Sequence, residues 1–525
     1  MRWWPLGDQP FDPVLNTHTT LILGDTSYPW IDIVDRGARA ATGLAQFGVN
    51  RNDSIALLMR NDPPFFEVTT AAQRLGAYSV PINWHFTPDE VLHVLRDSNA
   101  KALVVHADLL QAIQDQLTEE LLVLVIETPL AIQAAYAIDP ILCQVPNDML
   151  SWSNWLSNYP PRSLQLDSVP TPMMYTSGTT GRPKGVRREA ASTEQANQLR
   201  SAEPPVLGNR PGMRVVICGP LYHAAPIHFA RVALDTGALM VLQPRFDALE
   251  LLQLIQRHRI TGMFLAPIMF VRLLKLPEAQ RLQYDMSSLE HVVHAGAVCP
   301  PSIKHAMIDW WGPVIHEFYG STESGVITHC NSAQWLSHPG SVGKAVGNTT
   351  LQILKSDGSE AATHEVGEIF MRRHDYPEFT YHGDPEKRNS IERDGLITNG
   401  DLGYLDEDGY LYLCDRVRDM IISGGVNIYP AEIESVLLAF PGVHDCAVLG
   451  IPDNEYGEQV LALIEPADGQ VCEESALRAY LKQHLAGYKL PRVIQFRHNL
   501  PREDSGKIFK RKLREHFWKD ADRNI

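Results

Sequence analysis

Residues 175–185 combine several groups that bind phosphate; they read Tyr-Thr-Ser-Gly-Thr-Thr-Gly-Arg-Pro-Lys-Gly. The glycines let backbone N–H groups approach an anion closely, the hydroxyls can donate hydrogen bonds, and Lys184 adds a compact positive charge. The stretch is not a Walker A loop, because Pro183 stands where that loop requires a glycine before its lysine. Composition alone would favour a flexible linker, but the ordered Arg-Pro-Lys-Gly ending favours a polyphosphate cradle. The residues expected to form this cradle are Thr176, Ser177, Gly178, Thr179, Thr180, Gly181 and Lys184.

This string resembles the phosphate-binding motif of adenylate-forming enzymes. That superfamily holds acyl- and aryl-CoA synthetases, firefly luciferase and the adenylation domains of peptide synthetases. The similarity runs from about residue 30 to about residue 515, and further motifs occur in the family's order. The chain resembles the acid–CoA ligases of the superfamily most closely, and the roles that follow are those the resemblance implies.

Residues 318–324, Phe-Tyr-Gly-Ser-Thr-Glu-Ser, are similar to a core motif of the family. By this resemblance Tyr319 stacks on adenine and Thr322 bonds the α-phosphate. Glu323 holds Mg²⁺, a hard cation that prefers carboxylate and phosphate oxygens, and Thr176 is the second expected metal contact. An isolated glutamate would usually be a solvated surface residue.

Two other motifs follow apolar runs that are typical of strands. His223, in Pro-Leu-Tyr-His-Ala-Ala-Pro (residues 220–226), resembles the family's aromatic or histidine gate near the acyl site. Gly296 and Ala297 lie in a loop similar to the one beside adenine. Taken alone, a histidine in an apolar stretch is more often structural, and the Gly-Ala pair fits a plain turn.

The ribose contacts are expected from residues 398–404 and from the segment that begins at Asp415. Asp401 would accept hydrogen bonds from both ribose hydroxyls, and Arg416 would contact ribose or phosphate. Arg418 falls at the family's interdomain hinge, where aspartate or lysine is usual, so its hydrogen-bonding partner stays open. Residues Asp406–Gly409, which contain an Asp-Gly pair, are expected to form only a hairpin turn.

The C-terminal motifs complete the resemblance. Ser423, Gly424 and Gly425 match a loop that lines the pantetheine tunnel, where any side chain would obstruct the thiol of coenzyme A. Lys507, in residues 501–511, matches the lysine that catalyses adenylation. The basic neighbours Lys510, Arg511, Lys512 and Arg514 are expected to form a solvated face.

The elements that position these motifs alternate between short apolar runs and amphipathic helical patterns, which predicts parallel sheets covered by helices on both faces. Such sheets place ligands in loops at the carboxyl ends of their strands. Thr87, Pro88 and Glu90 predict one helix start, with a capping box. Residues 146–172 are expected to be a connection within a large domain.

The predicted fold class is α/β. A large N-terminal domain of parallel-rich sheets and helices, residues 1–416, would bind AMP and the acyl group. A small mobile α+β domain, residues 417–525, would carry Lys507. By resemblance, this domain rotates about Arg418 so that Lys507 serves the first half-reaction and the Gly424 loop the second.

Composition limits the alternatives. The net charge of −16 argues against a nucleic-acid partner, which requires a basic footprint. The seven cysteines form no C-x-x-C pair and are expected to be reduced thiols of a cytoplasmic protein. No signal peptide and no transmembrane segment is predicted, and the expected oligomeric state is a monomer or a homodimer.

The predicted function is an ATP-dependent acid–CoA ligase that uses ATP, Mg²⁺ and coenzyme A. The acid is expected to be apolar (fatty, aryl or polycyclic), since the segment after His223 is rich in small apolar residues. Arg231 could instead form a salt bridge elsewhere in the protein or face a second carboxylate of the substrate. Three alternatives stay open: an enzyme that loads a separate carrier protein, a luciferase-type monooxygenase, and a non-catalytic nucleotide-binding homologue.

Overall fold

The structure describes most residues of the chain. A computed structural model describes residues 19–163, 170–176, 182–416, 419–424, 426–453, 455–467, 472–502, 508 and 510–518. Within these ranges, no helix is both long and apolar enough to cross a membrane. All seven cysteines are free, and five of them are buried.

Two sheets rich in parallel strands organise the N-terminal part. In the described residues, the first has five parallel strands in the order Tyr78–Pro81, Ser54–Leu58, Ala100–His106, Leu122–Ile126 and Leu150–Ser151. The second has nine strands, parallel from its third to its eighth, in the order Lys344–Ala345, Gly325–Asn331, Ile315–Ser321, His291–His294, Gly262–Leu265, Arg214–Ile217, Leu239–Leu242, Thr20–Leu23 and Thr26–Pro29.

Three smaller sheets follow, as far as the described residues show. A three-stranded antiparallel sheet is formed by Phe379–Tyr381, Lys184–Arg188 and Met174–Thr176. A five-stranded antiparallel sheet contains Thr349–Leu354, Gly367–Arg373, Leu396–Leu405, Glu392–Arg393 and Leu411–Arg416. The C-terminal sheet contains Val426–Ile428, Ile421–Ser423, Gly457–Pro466, Val443–Asp453 and Val493–Phe496.

Helices connect and cover these sheets. In chain order, the α-helices that the structure describes are Trp30–Gln46, Pro63–Leu75, Pro88–Asp97, Ala107–Leu110, Leu130–Tyr136, Trp152–Leu156, Thr193–Leu207, Ala224–Asp235, Ala248–His258, Pro267–Lys275, Glu278–Arg281, Pro301–Trp311, Ser332–Ser337, Pro385–Ser390, Pro430–Leu438, Glu474–His484 and Lys510–Trp518. The predicted capping box before Pro88–Asp97 is confirmed: Glu90 N–H donates to Thr87 Oγ1 and Thr87 N–H donates to Glu90 Oε2. The α/β fold class with parallel-rich sheets is likewise confirmed.

The stretch predicted to be only a connection, residues 146–172, also contributes to the core. The helix Trp152–Leu156 lies within it, and Trp152 is 1% exposed. Trp155 packs so closely on Gly43 that a Cβ there would lie 2.5 Å from its ring. Two indoles one helical turn apart provide enough apolar area to anchor a segment that is otherwise polar.

The residues from Ile421 onward have an apolar core of their own. Among the described residues, Ile421, Leu437, Val448 and Leu477 belong to a buried cluster made entirely of residues from this region. The region also touches the large part of the chain, since Lys275 Nζ lies 3.1 Å from His444 Nδ1. A separate core fits a separate domain, and the boundary between residues 416 and 417 stays a prediction.

A buried ion pair holds the strand that leads into the candidate site. Lys304, on Pro301–Trp311, is fully buried, and its Nζ lies 2.5 Å from Oε2 of Glu317 on Ile315–Ser321. Burial raises the pKa of Glu317, against the lowering effect of Lys304. Removing one partner of such a pair leaves an uncompensated polar group in the interior.

Lys304→Met is therefore expected to destabilise the protein by about 3–5 kcal/mol. Urea unfolding followed by tryptophan fluorescence would measure this loss. The control is the double variant Lys304→Met/Glu317→Leu, which removes both charges and should recover most of the stability. A double variant no more stable than the single one would contradict the role given to the pair.

Candidate active site

The phosphate-loop motif lies on a hairpin. Its flanks are the strands Met174–Thr176 and Lys184–Arg188, with Thr176 paired to Lys184. Phe379–Tyr381 extends this sheet on the other edge, pairing Tyr381 with Val186. Both ends of the predicted cradle are thus held in regular structure, as an anion-binding turn requires.

Acidic and aromatic groups surround the lysine of the hairpin. Lys184 Nζ lies 3.2 Å from Asp384 Oδ2 and 5.9 Å from the centre of the Tyr381 ring. The Tyr381 hydroxyl donates to Glu323 Oε1 at 3.1 Å. Burial and the charge of Glu323 raise the pKa of Tyr381, so its hydroxyl stays a donor. Lys184 and Glu323, 139 positions apart in the sequence, therefore contact the same tyrosine.

A tight turn carries Thr322 and Glu323. It joins the antiparallel strands Ile315–Ser321 and Gly325–Asn331. A Cβ on Gly320 would lie 2.0 Å from the Gly325 carbonyl oxygen, so only glycine permits this approach. Ser321 Oγ accepts from the backbone N–H groups of Glu323 and Ser324, at 3.1 and 3.0 Å. The turn is therefore held from inside before any ligand binds.

Arg188 holds the same turn from outside, a role that the motifs did not reveal. Its side chain is buried; Nη2 donates to the carbonyl of Thr322 at 2.6 Å and also to that of Glu323, and Nη1 donates to the carbonyl of Pro377 at 2.7 Å. The signal in the sequence was weak: two successive arginines, of which the strand alternation must bury one.

The predicted ribose and adenine residues form one hydrogen-bonded group. Tyr319 donates its hydroxyl to Asp401 Oδ2 at 2.7 Å, and Arg416 Nε donates to Asp401 Oδ1 at 3.1 Å. Asp401 and Arg416 are paired neighbours on adjacent strands. Burial and the nearby Asp401 carboxylate raise the pKa of Tyr319 well above its ordinary value. The predicted hairpin turn after Asp401 is confirmed by the backbone bond from Asp406 N–H to the Tyr410 carbonyl.

The predicted gate and adenine loop lie at strand ends of the nine-stranded sheet. His223 immediately precedes the helix Ala224–Asp235, and its ring lies 4.4 Å from that of Tyr222. Gly296 follows His291–His294 with φ +92°, and a Cβ there would meet nothing within 4 Å. Ala297, next to it, is exposed. Both motifs thus occupy the edge at which parallel sheets bind ligands.

The predicted coenzyme A loop lies in the C-terminal unit. Ser423 ends the strand Ile421–Ser423, and Gly424 follows with φ +58°. The Gly424 N–H donates to the Tyr456 carbonyl at 2.8 Å. A Cβ on Gly424 would lie 3.0 Å from the Tyr456 ring, so a side chain here is strained by backbone and by space.

Several predicted residues fall outside the described part of the chain: Ser177, Gly178, Thr179, Thr180, Gly181, Arg418, Gly425 and Lys507. The prediction of a solvated basic face beside Lys507 was wrong for two residues. Lys510 Nζ lies 2.8 Å from Glu434 with its side chain 17% exposed, and Arg514 lies 3.2 Å from Asp419. Acidic partners on neighbouring elements draw both cations inward.

The donor set suits Mg²⁺ bound together with phosphates rather than by protein alone. Over the described ranges, no cluster of three or more His, Cys, Asp and Glu side chains is placed to hold a metal ion. Mg²⁺ is commonly held by one or two carboxylates plus substrate phosphates. Glu323, fixed by Tyr381 and half-buried, would supply such a carboxylate, and Thr176 ends the adjacent hairpin strand.

Comparisons with known proteins match both the N-terminal and the C-terminal part of the chain. The family description "AMP-binding enzyme" matches residues 15–376, and "AMP-binding enzyme C-terminal domain" matches residues 432–507. A feruloyl-CoA synthase from Amycolatopsis sp is 32% identical over 523 residues, 98% of each chain. The fatty acid–[acyl-carrier-protein] ligase ScoC from Streptomyces coeruleorubidus is 30% identical, over 93% of this chain and 91% of the relative. The solved anthranilate CoA ligase AuaEII, in complex with anthranoyl-AMP, has a TM-score of 0.83 at 26% identity, over 96% of this chain and 95% of that one.

The chain belongs to the AMP-binding family of adenylate-forming enzymes. Within that family it is an acid–thiol ligase of the AMP-forming acyl-CoA synthetase type. The resemblance inferred from the motifs is thereby confirmed, whereas the roles of individual residues stay predictions.

Arg188→Lys is expected to slow ATP–pyrophosphate exchange about tenfold or more, a barrier increase of roughly 1.4 kcal/mol. Lysine keeps the charge but cannot span three carbonyls with a planar fork, so the Thr322–Glu323 turn loses its geometry. The matched control is Arg187→Lys, on the same strand but half-buried against the Tyr78 ring at 4.7 Å. Equal losses in both variants would contradict the anchoring role.

Proposed function

We propose that this ligase joins a hydrophobic carboxylic acid to coenzyme A in two steps. First, a carboxylate oxygen attacks the α-phosphorus of ATP and pyrophosphate leaves, which yields an acyl-adenylate. Then the thiol of coenzyme A attacks the acyl carbonyl carbon and AMP leaves. The observation that carries the proposal is the convergence of Lys184, Tyr381 and Glu323 beside the Thr322 turn.

The first step must bring two anions together, so positioning and charge neutralisation are its main requirements. Tyr319, Asp401 and Arg416 would orient the nucleoside, because their mutual hydrogen bonds fix the Asp401 carboxylate in place. Lys184 would hold the outer phosphates, exchanging its contact with the partly exposed Asp384. Mg²⁺, held by Glu323 and Thr176, would supply charge neutralisation on the phosphates.

Lys507 is the proposed adenylation lysine. A cation about 4 Å from a carboxylate gains roughly 4 kcal/mol at an effective dielectric near 20, enough to offset much of the repulsion between the two reacting anions. In the second step the C-terminal unit would replace Lys507 with the Gly424 loop, a rotation about a short pivot at Arg418.

A second candidate function is transfer to a carrier protein instead of coenzyme A, which the similarity to ScoC favours. A screen of carboxylic acids by ATP–pyrophosphate exchange, followed by AMP release with coenzyme A or with purified carrier proteins, separates the two. Fast AMP release with coenzyme A alone is the expected result. Release that requires a carrier protein would replace the first proposal with the second.

Lys507→Ala is expected to slow ATP–pyrophosphate exchange by about a thousandfold. This is three tenfold steps, each equal to about 1.4 kcal/mol in the activation barrier. The variant should still form thioester from supplied acyl-adenylate, because that step does not bring two anions together. Lys482→Ala, at an exposed position of the helix Glu474–His484, is the control and should leave both steps unchanged. Equal loss of both steps in Lys507→Ala would contradict the proposal that Lys507 serves only the adenylation step.

Gly424→Ala is expected to slow the coenzyme A step about tenfold and to leave pyrophosphate exchange nearly unchanged. The added methyl group strains the left-handed backbone and crowds Tyr456 at the proposed tunnel. Gly409→Ala is the matched control, since Gly409 also has positive φ, +79°, but lies in an open turn. Single-turnover rates with acyl-adenylate and coenzyme A provide the measurement, and similar rates in the two variants would reject the tunnel.

A further inference from the structure

The helix that begins after His223 has one accessible side. Within Ala224–Asp235, the residues Pro226, Ile227 and all those from Phe229 to Leu234 are buried. Ala224, Ala225 and His228 are only half-buried. Ala224 and His228 are four positions apart, so they lie on one face of the helix, one turn above each other. This face starts at the predicted acyl gate.

The start of this face is apolar and packs on the main hydrophobic core. Phe318, Val326 and Val346 are partly buried and pack against the same core cluster as Ala224 and Ala225. Phe318 precedes the Thr322–Glu323 turn and Val326 follows it. The near end of the face is therefore apolar, and the helix and the strands that carry the Thr322–Glu323 turn are anchored on one core.

The far end of the face is polar. His228 Nε2 lies 3.0 Å from Oε1 of Glu203, on the helix Thr193–Leu207, and the two side chains are 23% and 17% exposed. The helix that carries Glu203 also contacts the strands His291–His294 and Ile315–Ser321, which end at the site. A polar pair of partial exposure thus lies on the accessible face, and His228 is about 7.5 Å along the axis from His223 by the helical rise.

Glu203 is an anionic acceptor. Burial raises the pKa of Glu203, but the charges of His228 and Arg373 outweigh it, so the pKa lies below its ordinary value. Arg373 is itself bound in two places by Asp375, at 3.0 and 3.2 Å. Arg231 is buried, and burial lowers its pKa against the opposing charges of Asp235 and Glu203. These arginines are engaged within the protein, and Arg231 is not placed on the accessible face to receive a second substrate carboxylate.

We propose that Glu203 and His228 recognise a hydroxyl group at the far end of the acid, so that the preferred substrates are hydroxylated, uncharged at that end, and apolar in between. The inference rests on the proposed ligase function and names its substrate class. Glu203 accepts a hydrogen bond from the substrate hydroxyl, and His228 holds the Glu203 carboxylate in position. A methoxy group cannot donate to Glu203, and a carboxylate is repelled by it, so both are discriminated against.

The span between gate and pair suits an acid with one aromatic ring on a short unsaturated link, or a short aliphatic chain. Two matched series of probe acids distinguish the aromatic from the aliphatic case. The first is cinnamate with its 4-hydroxy, 4-methoxy and 4-carboxy derivatives, and the second is hexanoate with 6-hydroxyhexanoate. The measurement is kcat/KM in ATP–pyrophosphate exchange. The expected result is a preference of about tenfold or more for the hydroxylated member of at least one series, as charge-assisted hydrogen bonds provide.

Glu203→Gln keeps the shape but removes the charge, and it should reduce that preference to less than about threefold while leaving the unsubstituted acid within about twofold of wild type. His228→Gln should weaken the preference in the same direction. The control is Glu194→Gln, an exposed position on the same helix. A structural role would lower kcat/KM for every acid equally, and that outcome would overturn the inference.

The two proposals fail in different ways. If neither series nor any other acid supports exchange, the ligase function proposed above fails. If unsubstituted acids are exchanged as well as hydroxylated ones by the wild-type enzyme, only the recognition by Glu203 and His228 is overturned. If the carboxylated probe is preferred, the far end of the acid site binds an anion rather than a hydroxyl group, and the inference is likewise overturned.

Discussion

The buried guanidinium of Arg188 is the interaction on which the geometry of the site depends. It contacts the carbonyls of Thr322, Glu323 and Pro377, which belong to segments more than 130 positions away in the chain. A carbonyl left unpaired in the interior is costly, so the Thr322–Glu323 turn and the Pro377 segment stay attached to the Arg188 strand as long as the guanidinium is present. Glu323 also accepts a hydrogen bond from Tyr381, whose strand pairs with the phosphate hairpin. The Arg188 guanidinium therefore links the Thr322–Glu323 turn to the phosphate-loop motif.

The same physical logic recurs in the nucleoside-binding group. Asp401 is nearly buried, and its two oxygens are occupied by Tyr319 and Arg416. A carboxylate with a hydrogen bond to each oxygen is held in one orientation. Ligand hydroxyls would therefore meet an acceptor whose direction is already determined, which lowers the entropic cost of binding.

How far the sequence leads can be seen residue by residue. The glycine-rich string, the Tyr-Gly-Ser-Thr-Glu turn and the Asp401 strand were assigned from order and type, since their chemistry is local to a few positions. Arg188, Tyr381 and the Glu203–His228 pair could not be assigned in that way. Their roles arise from contacts across long sequence separations, for which no spacing rule exists. Lys510 was misread for the same reason, because its partner Glu434 lies on another element.

The amino-acid sequence by itself determined the α/β class, the family and the positions of the motifs, because periodicity, glycine placement and loop chemistry are properties of contiguous residues. Only the tertiary structure decided which cation anchors the Thr322–Glu323 turn, which acids pair with Lys184 and Lys510, and which acid lies beside His228. Those pairings depend on burial, because a charged side chain needs a partner when it is removed from water. Which partner it finds is determined only when separate helices and strands pack together.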